Sequence, residues 1–242
     1  MISLMLVTAY AIFLLWGEWR PHARAILPRR DRWLINIGSG VIAITLSYVI
    51  WGFVAKRLGL WSEGQHSILE GVPAGVRWVI LIFSYDLALY GWHRLNHENS
   101  LLWRYHRFHH LDSELDTTSA LRFHWLEFFL TGFWRVPFLW ILHPTLEEWS
   151  IVAGLGTLAA GFHHGRAWLP AYLDRFISLL LVTPRWHWAH HHPERKFHDA
   201  QYGILFIIWD RLFASVSLPP DSHIGLKNEP ALKGLQWQQL GL

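Results

Sequence analysis

Three histidine motifs stand at spacings that suit metal ligation. His93 and His97 lie in HRLNH, His106, His109 and His110 in HRFHH, and His187, His190 and His191 in HWAHHH. On a helix, residues four apart share a face, and so do residues at i, i+3 and i+4. Each pair or triple is therefore expected to aim two or three imidazoles at one spot. Neutral imidazole is a good ligand for first-row transition metals. Eight such nitrogens fill more than one coordination sphere, so two metals are expected rather than one. Clustered imidazoles also suit a pH sensor or a polar surface, but three clusters at the ends of apolar helices favour the metal. His192 and His198 follow the last motif without a settled role. His22, His66, His143 and His223 stand alone and read as ordinary polar side chains.

A site made mainly of neutral histidines does not cancel the charge of two divalent ions. Carboxylates are then expected to accept the free ring N–H groups and to offset that charge. Candidates are Asp86, Glu98, Asp112, Asp116, Glu127, Glu194, Asp199 and Asp210, with Asp86, Glu127, Asp199 and Asp210 foremost. Asp86 stands out because it interrupts an apolar run, where an unpaired carboxylate is costly.

Composition limits the other chemistries. The chain has no cysteine, which excludes disulfides, iron–sulfur ligation, thiolate haem and thiol catalysis. Any metal must be held by histidine and carboxylate. A net charge of +3 is too small to argue for nucleic acid. Apolar residues make up 52% and charged residues 16% of the chain, against roughly 25% charge in a soluble domain. That balance favours membrane insertion.

The apolar runs supply the elements that must position the histidines. Residues 2–16 read as an anchor helix, with neither the basic start nor the cleavage site of a signal peptide. A basic loop follows, with Arg20, Arg24, Arg29, Arg30 and Arg32. Residues 33–54 carry no charge and are long enough to span a bilayer. Residues 56–77 are mixed and loop-like. Residues 78–92 are apolar around Asp86 and run straight into His93. Residues 125–142, with Arg135 and Pro137 inside, and residues 149–162 form a hairpin around a turn at His143, Pro144, Glu147 and Glu148.

The positive-inside rule places the arginine loop in the cytoplasm. Chain crossing then brings every dense histidine cluster to that same face. The expected fold is all-α: an integral membrane helical bundle of about four transmembrane helices or hairpins with a cytoplasmic histidine-rich helical cap. The expected domains are membrane anchor helices over 1–74, a catalytic domain over 75–215 and a C-terminal tail over 216–242. The bias of 17 arginines over 4 lysines, with no retrieval signal at the end, leans toward a bacterial inner membrane.

These motifs resemble the fatty acid hydroxylase / sterol desaturase superfamily. HxxxH, HxxHH and the late HxxHH occur in the family's order. LRFHWLE is similar to its central LRFHPLE, and GFHH followed by Leu169 and Pro170 to its FxHxN element. LVTPRWHWAHH, then QYG and WDRLF, is similar to its C-terminal signature. The resemblance covers about residues 75–215.

It implies a non-haem di-iron oxygenase that uses O2 and two external electrons to hydroxylate or desaturate a membrane lipid or sterol. By motif position the implied ligands are His93, His97, His106, His109, His110, His124, His164, His187, His190 and His191. His163 stands beside His164 as the alternative. Trp125, Arg166 and Ala214 depart from the family's usual Pro, Asn and Gly.

The implied cofactors are two iron ions, with zinc as the other metal that such a site takes. Electrons must come from a separate electron-transfer protein and reductase, since the chain has no flavin or nucleotide fingerprint and no haem domain. Arginines at the cytoplasmic face suit an acidic donor, and tryptophans the membrane interface. Two other classes compete. A zinc-dependent membrane lipid hydrolase would use bound hydroxide, but HExxH is missing. A metal transporter or sensor would place its ionisable groups at the midplane rather than at one face.

Overall fold

The computed structural model describes residues 2–21, 29–59 and 67–217. His22, Arg24, His66, His223 and nearly all of the tail fall outside these. Among the described residues ten α-helices follow in order: α1 (Ile2–Trp19), α2 (Arg29–Leu58), α3 (Ala74–Glu98), α4 (Ser100–His110), α5 (Trp125–Leu142), α6 (Leu146–His163), α7 (Ala171–Ile177), α8 (Pro184–His190), α9 (Arg195–His198) and α10 (Ile208–Leu212). A 3-10 turn at Thr117–Leu121 joins α4 to α5. Among the described residues the secondary structure is helical apart from one isolated bridge between Leu181 and Phe206.

Among the described residues three helices are long and apolar enough to cross a membrane: α2, α3 and α5. The apolar part of α1, Met5–Trp19, is shorter. The expected helices are present with shifted ends, and α6 is not among the candidate spans. The run at 33–54 lies inside a 30-residue helix that begins at Arg29 and so carries Arg29, Arg30, Asp31 and Arg32. The run at 78–92 continues unbroken through His93 and His97 to Glu98. The hairpin limbs are α5 and α6. Between them His143 adopts a left-handed φ of 41° that ends α5, and Thr145 and Glu148 form a reciprocal cap that starts α6.

Helix α2 shows how the bundle meets lipid. Its outer face exposes Leu34, Val41, Ile42, Tyr48, Val49 and Phe53, while its buried face is Arg32, Asn36, Gly40, Ala43, Ser47 and Ala55. Small residues at the contact let backbones approach closely, which is how membrane helices gain packing energy when lipid removes the hydrophobic drive. At Gly132 of α5 the indole of Trp51 occupies the space a side chain would need, and its Nε1 donates to Phe129 O at 3.0 Å.

The interior divides in two. At one end Leu81, Tyr85, Phe138, Leu139, Leu142 and Val152 form an apolar core. At the other the buried residues are histidines, aspartates and arginines. Asn99 breaks the chain between α3 and α4 and caps α4 by accepting from Leu101 N and Leu102 N, so α4 folds back to set its histidines against those of α3.

Arg32 joins the start of α2 to this polar end. Its Nε donates to Asp112 at 2.8 Å and its Nη1 to Asp116 at 3.1 Å, and all three side chains are buried. The basic end of α2 and the histidine clusters therefore lie at the same end of the bundle.

Candidate metal centre

Nine histidines converge into two groups. His93 and His97 of α3, His106 and His110 of α4, and His190 of α8 form the first. His109 of α4, His164 after α6, and His187 and His191 of α8 and its end form the second. Within each group one nitrogen per ring lies within 4.8 Å of all the others. All nine rings are buried.

The triples do not each aim at one spot. Helical residues four apart stay together: 93 with 97, 106 with 110, 187 with 191. The third member of each triple is adjacent to one of these, about 100° away around the helix. His109 therefore crosses to the second group and His190 to the first. Each HxxHH motif bridges the two groups.

Six of the nine outer nitrogens are anchored, and Nδ1 of His110, His187 and His191 is buried without a partner. Nδ1 of His106 donates to Glu127 Oε1 at 2.8 Å and Nδ1 of His97 to Asp199 Oδ1 at 3.2 Å. Backbone carbonyls take others: Tyr202 O from His93 at 2.9 Å, Ala200 O from His190 at 2.6 Å, Arg122 O from His109 at 3.3 Å and Ala160 O from His164 at 2.8 Å. A neutral ring whose Nδ1 carries the proton has a bare lone pair on Nε2. Burial, then neighbouring imidazoles, holds His109, His110, His187, His190 and His191 well below the ordinary histidine range. Burial brings His164 down to about 4. These rings are neutral at pH 7.

Between His109 and His164 the inner nitrogens then have no proton to share. Nε2 of His109 lies 3.0 Å from Nε2 of His164, although both Nδ1 atoms already face carbonyls. His187 Nε2 stands 3.0 Å from His164 Nε2 and 3.2 Å from His191 Nε2. In the first group Nε2 of His97, His106, His110 and His190 is buried without a hydrogen-bond partner. Lone pairs crowded together away from water are expensive unless a cation lies among them. The donor set fits two metal ions of the imidazole-loving kind.

Other expected site residues lie elsewhere. His124 belongs to neither group; its Nδ1 accepts from Leu126 N at 3.1 Å and caps α5. His163 also lies outside the groups, with Nδ1 donating to Ile204 O and its ring 3.9 Å from that of His187. His192 accepts from Glu194 N. His198 stacks on Trp103, with ring centroids 5.1 Å apart. Glu98 pairs with Arg94 and Glu194 with Lys196.

Asp86 and Asp210 reach the site through the backbone. Asp86 accepts from Leu205 N, Phe206 N and Trp209 Nε1, and Asp210 from Tyr202 N, Gly203 N and the Ser215 hydroxyl. Between them they hold the segment 200–206, whose alternate carbonyls at 200, 202 and 204 face His190, His93 and His163. Sequence reasoning assigned the carboxylates to the rings and missed this carbonyl rail. QYG, at its centre, was the available signal.

A cavity of about 220 Å³ runs from the histidines into the bundle. His93, His106, His109, His164 and His187 line its upper end. Leu89, Phe128, Gly156 and Ala160 line its length, and Tyr85 and Arg135 its far end.

A family model for fatty acid hydroxylases matches residues 78–215. The chain belongs to the fatty acid hydroxylase family. It is an integral membrane member with two buried histidine groups able to hold metal ions. This hydroxylase-family chain is 29% identical over 167 residues to an ornithine lipid hydroxylase of Rhizobium tropici, covering 66% of this chain and 48% of that protein. It is 24% identical over 219 residues to the human alkylglycerol monooxygenase (88% of this chain, 45% of that one). To the human lathosterol oxidase it is 27% identical over 144 residues (58% and 45%). The chain spans just under half the length of these curated relatives. No solved structure matches it.

Proposed function

We propose that this protein is an O2-dependent lipid hydroxylase or desaturase whose two histidine groups each hold one iron ion. The observation that carries the reading is the crowding of imidazole nitrogens in two adjacent buried groups at the head of a largely apolar cavity. His93, His97, His106, His110 and His190 would hold one ion, and His109, His164, His187 and His191 the other. Iron so bound supplies the activation of O2 and the oxidation of an unactivated C–H bond, and the protein supplies orientation and electronics.

The chain's own residues have definable tasks. Glu127 and Asp199 keep the protons of His106 and His97 on Nδ1 and place negative charge beside the first group. The rail carbonyls at 200 and 202 do the same for His190 and His93 without charge. The cavity walls exclude water and steer an apolar chain between α3, α5 and α6 toward the histidines. Its relatives are named for ornithine lipid, alkylglycerol and lathosterol, which supports a lipid or sterol substrate here. Electrons come from a separate donor protein and its reductase. The arginines at the start of α2 support a cytoplasmic histidine face in a bacterial inner membrane.

The test is to purify the protein, measure its metal content and incubate it with membrane lipids, a reductant and isotopically labelled O2. Iron in the preparation and label in a lipid product are expected for hydroxylation, and loss of two hydrogens for desaturation. A preparation lacking iron, yet turning lipid over without reductant, overturns the reading. Comparing lipids of cells with and without the protein identifies the substrate.

A further inference from the structure

Arg135 lies in the wrong solvent. It sits ten residues into α5, within an otherwise apolar stretch of a candidate membrane span. A guanidinium there is costly and as a rule turns inward to meet a partner. Arg135 turns inward, to the far end of the cavity. Its Cζ stands 5.6 Å from the ring centre of Tyr85 and 5.8 Å from that of Trp149. Its Nε is buried without a hydrogen-bond partner. Among the described residues no carboxylate pairs with it. Asp86, next to Tyr85 in the chain, is fully engaged by Leu205 N, Phe206 N and Trp209 Nε1.

Two aromatic faces attract the cation, and the Tyr85 hydroxyl accepts a hydrogen bond from it, but a single neutral oxygen is not the planar anion that a guanidinium's fork is built to meet. The cavity connects this unneutralised cation to the histidines. Glu127, Thr131 and Arg135 follow one another at four-residue intervals on α5 and all line the cavity. Along α3, Tyr85 lies eight residues, about 12 Å, below His93. A purely hydrocarbon tail reaching the far end would bury the guanidinium against CH2 groups. A chain ending in an acid would neutralise it.

We infer that Arg135 is a specificity determinant that receives the anionic end of an acidic lipid, a carboxylate or phosphate on an apolar chain, and so fixes which carbon lies beneath the histidines. This rests on the oxygenase reading for the identity of the cavity as a substrate site, while the binding chemistry stands on Arg135 itself. The oxidised carbon would then lie at a set distance from the acid, rather than from the methyl end.

The experiment measures Kd by calorimetry on the full-length, iron-loaded protein, using dodecanoate, its methyl ester and dodecyl phosphate as probes. The wild type is expected to bind one of the two acids at least about tenfold tighter than the ester, the scale of a charge-assisted bidentate contact. Whichever acid is preferred identifies the headgroup chemistry. R135Q is expected to bring acid and ester within about twofold of each other, with R135K between. Iron content and melting temperature of both variants check that the bundle is intact.

Equal wild-type affinity for acids and ester overturns the inference with no variant needed. So does an acid preference that survives in R135Q. An acid preference without any O2-dependent product sinks the oxygenase reading and leaves Arg135 as the anion site. Product without acid preference does the reverse.

Discussion

Glu127 Oε1 accepts a hydrogen bond from Nδ1 of His106 at 2.8 Å, and both side chains are buried. Glu127 lies in the first turn of α5 and His106 on α4, so one contact fixes the helices, the tautomer and the ring orientation together. It also sets a negative charge beside a site otherwise built of neutral nitrogen.

Glu127→Gln keeps the shape and an oxygen acceptor but removes the charge. Carboxylates behind metal-bound histidines typically contribute about 10- to 100-fold in metal affinity. The variant is expected to lose roughly half of its bound metal to a chelator that leaves the wild type loaded, because only the first group depends on Glu127. Metal analysis after graded chelation reads this directly. Full retention of both ions would show that the carboxylate serves only to pack α5.

His124 provides a contrast. The resemblance makes it a ligand, whereas its Nδ1 caps α5 at Leu126 N. His124→Ala is expected to cost about 1 kcal/mol, the usual effect of losing a cap, and to leave metal content unchanged. His124→Asn should recover most of the stability. His164→Ala, which removes a ring at the middle of the second group, is expected to lose metal. Melting temperature and metal-to-protein ratio on the three variants separate the two roles.

Acid should open the site. His109, His110, His187, His190 and His191 are held well below the ordinary histidine range by burial, and His164 is brought down to about 4. In the unfolded chain they take up protons near about 6.5. Between the two values the unfolded state binds more protons, so stability rises with pH. It is complete above about 6.5 and declines as pH falls toward the folded values. Bound metal moves the same way, since ligands must be deprotonated. Thermal unfolding of the chelated protein from about pH 7.5 to about pH 4 is expected to show a falling melting temperature. A flat profile would mean that the rings are solvated rather than buried.

Much of this was legible in the sequence, and the part that was not has a common cause. Helical spacing paired His93 with His97 and His106 with His110, because a four-residue interval constrains direction wherever a helix forms. The division of each triple between two groups was also within reach, since His109 and His110 cannot face the same way. What the spacing could not give was the partner of each Nδ1. Tyr202 O and Ala200 O belong to an irregular segment shaped by Asp86 and Asp210, more than a hundred residues apart in the chain. Arg32 read as a loop cation for the membrane surface. It is instead buried against Asp112 and Asp116, some 80 residues away. Composition identifies spans because lipid selects residue type, but pairing at the polar end depends on which elements dock.

The cavity offers the last test. Helix α6 meets it with Ala153, Gly156, Thr157 and Ala160, a wall of small residues that leaves room for a chain. A Cβ at Gly156 would lie 3.1 Å from Leu89 Cδ1 and 3.4 Å from Tyr85 Cε1. Gly156→Val therefore adds methyl groups to the cavity wall against Leu89 and Tyr85, eight residues before His164 in the chain. A steric block in an apolar channel is expected to lower kcat/KM by about tenfold or more for the lipid that fills it and by less for shorter homologues. Iron content should stay at the wild-type level, because Gly156 touches no histidine. Gly38→Val, on an open face of α2, is the control and should leave turnover unchanged. If both glycine variants behave alike, the channel between α3 and α6 is not the path of the lipid.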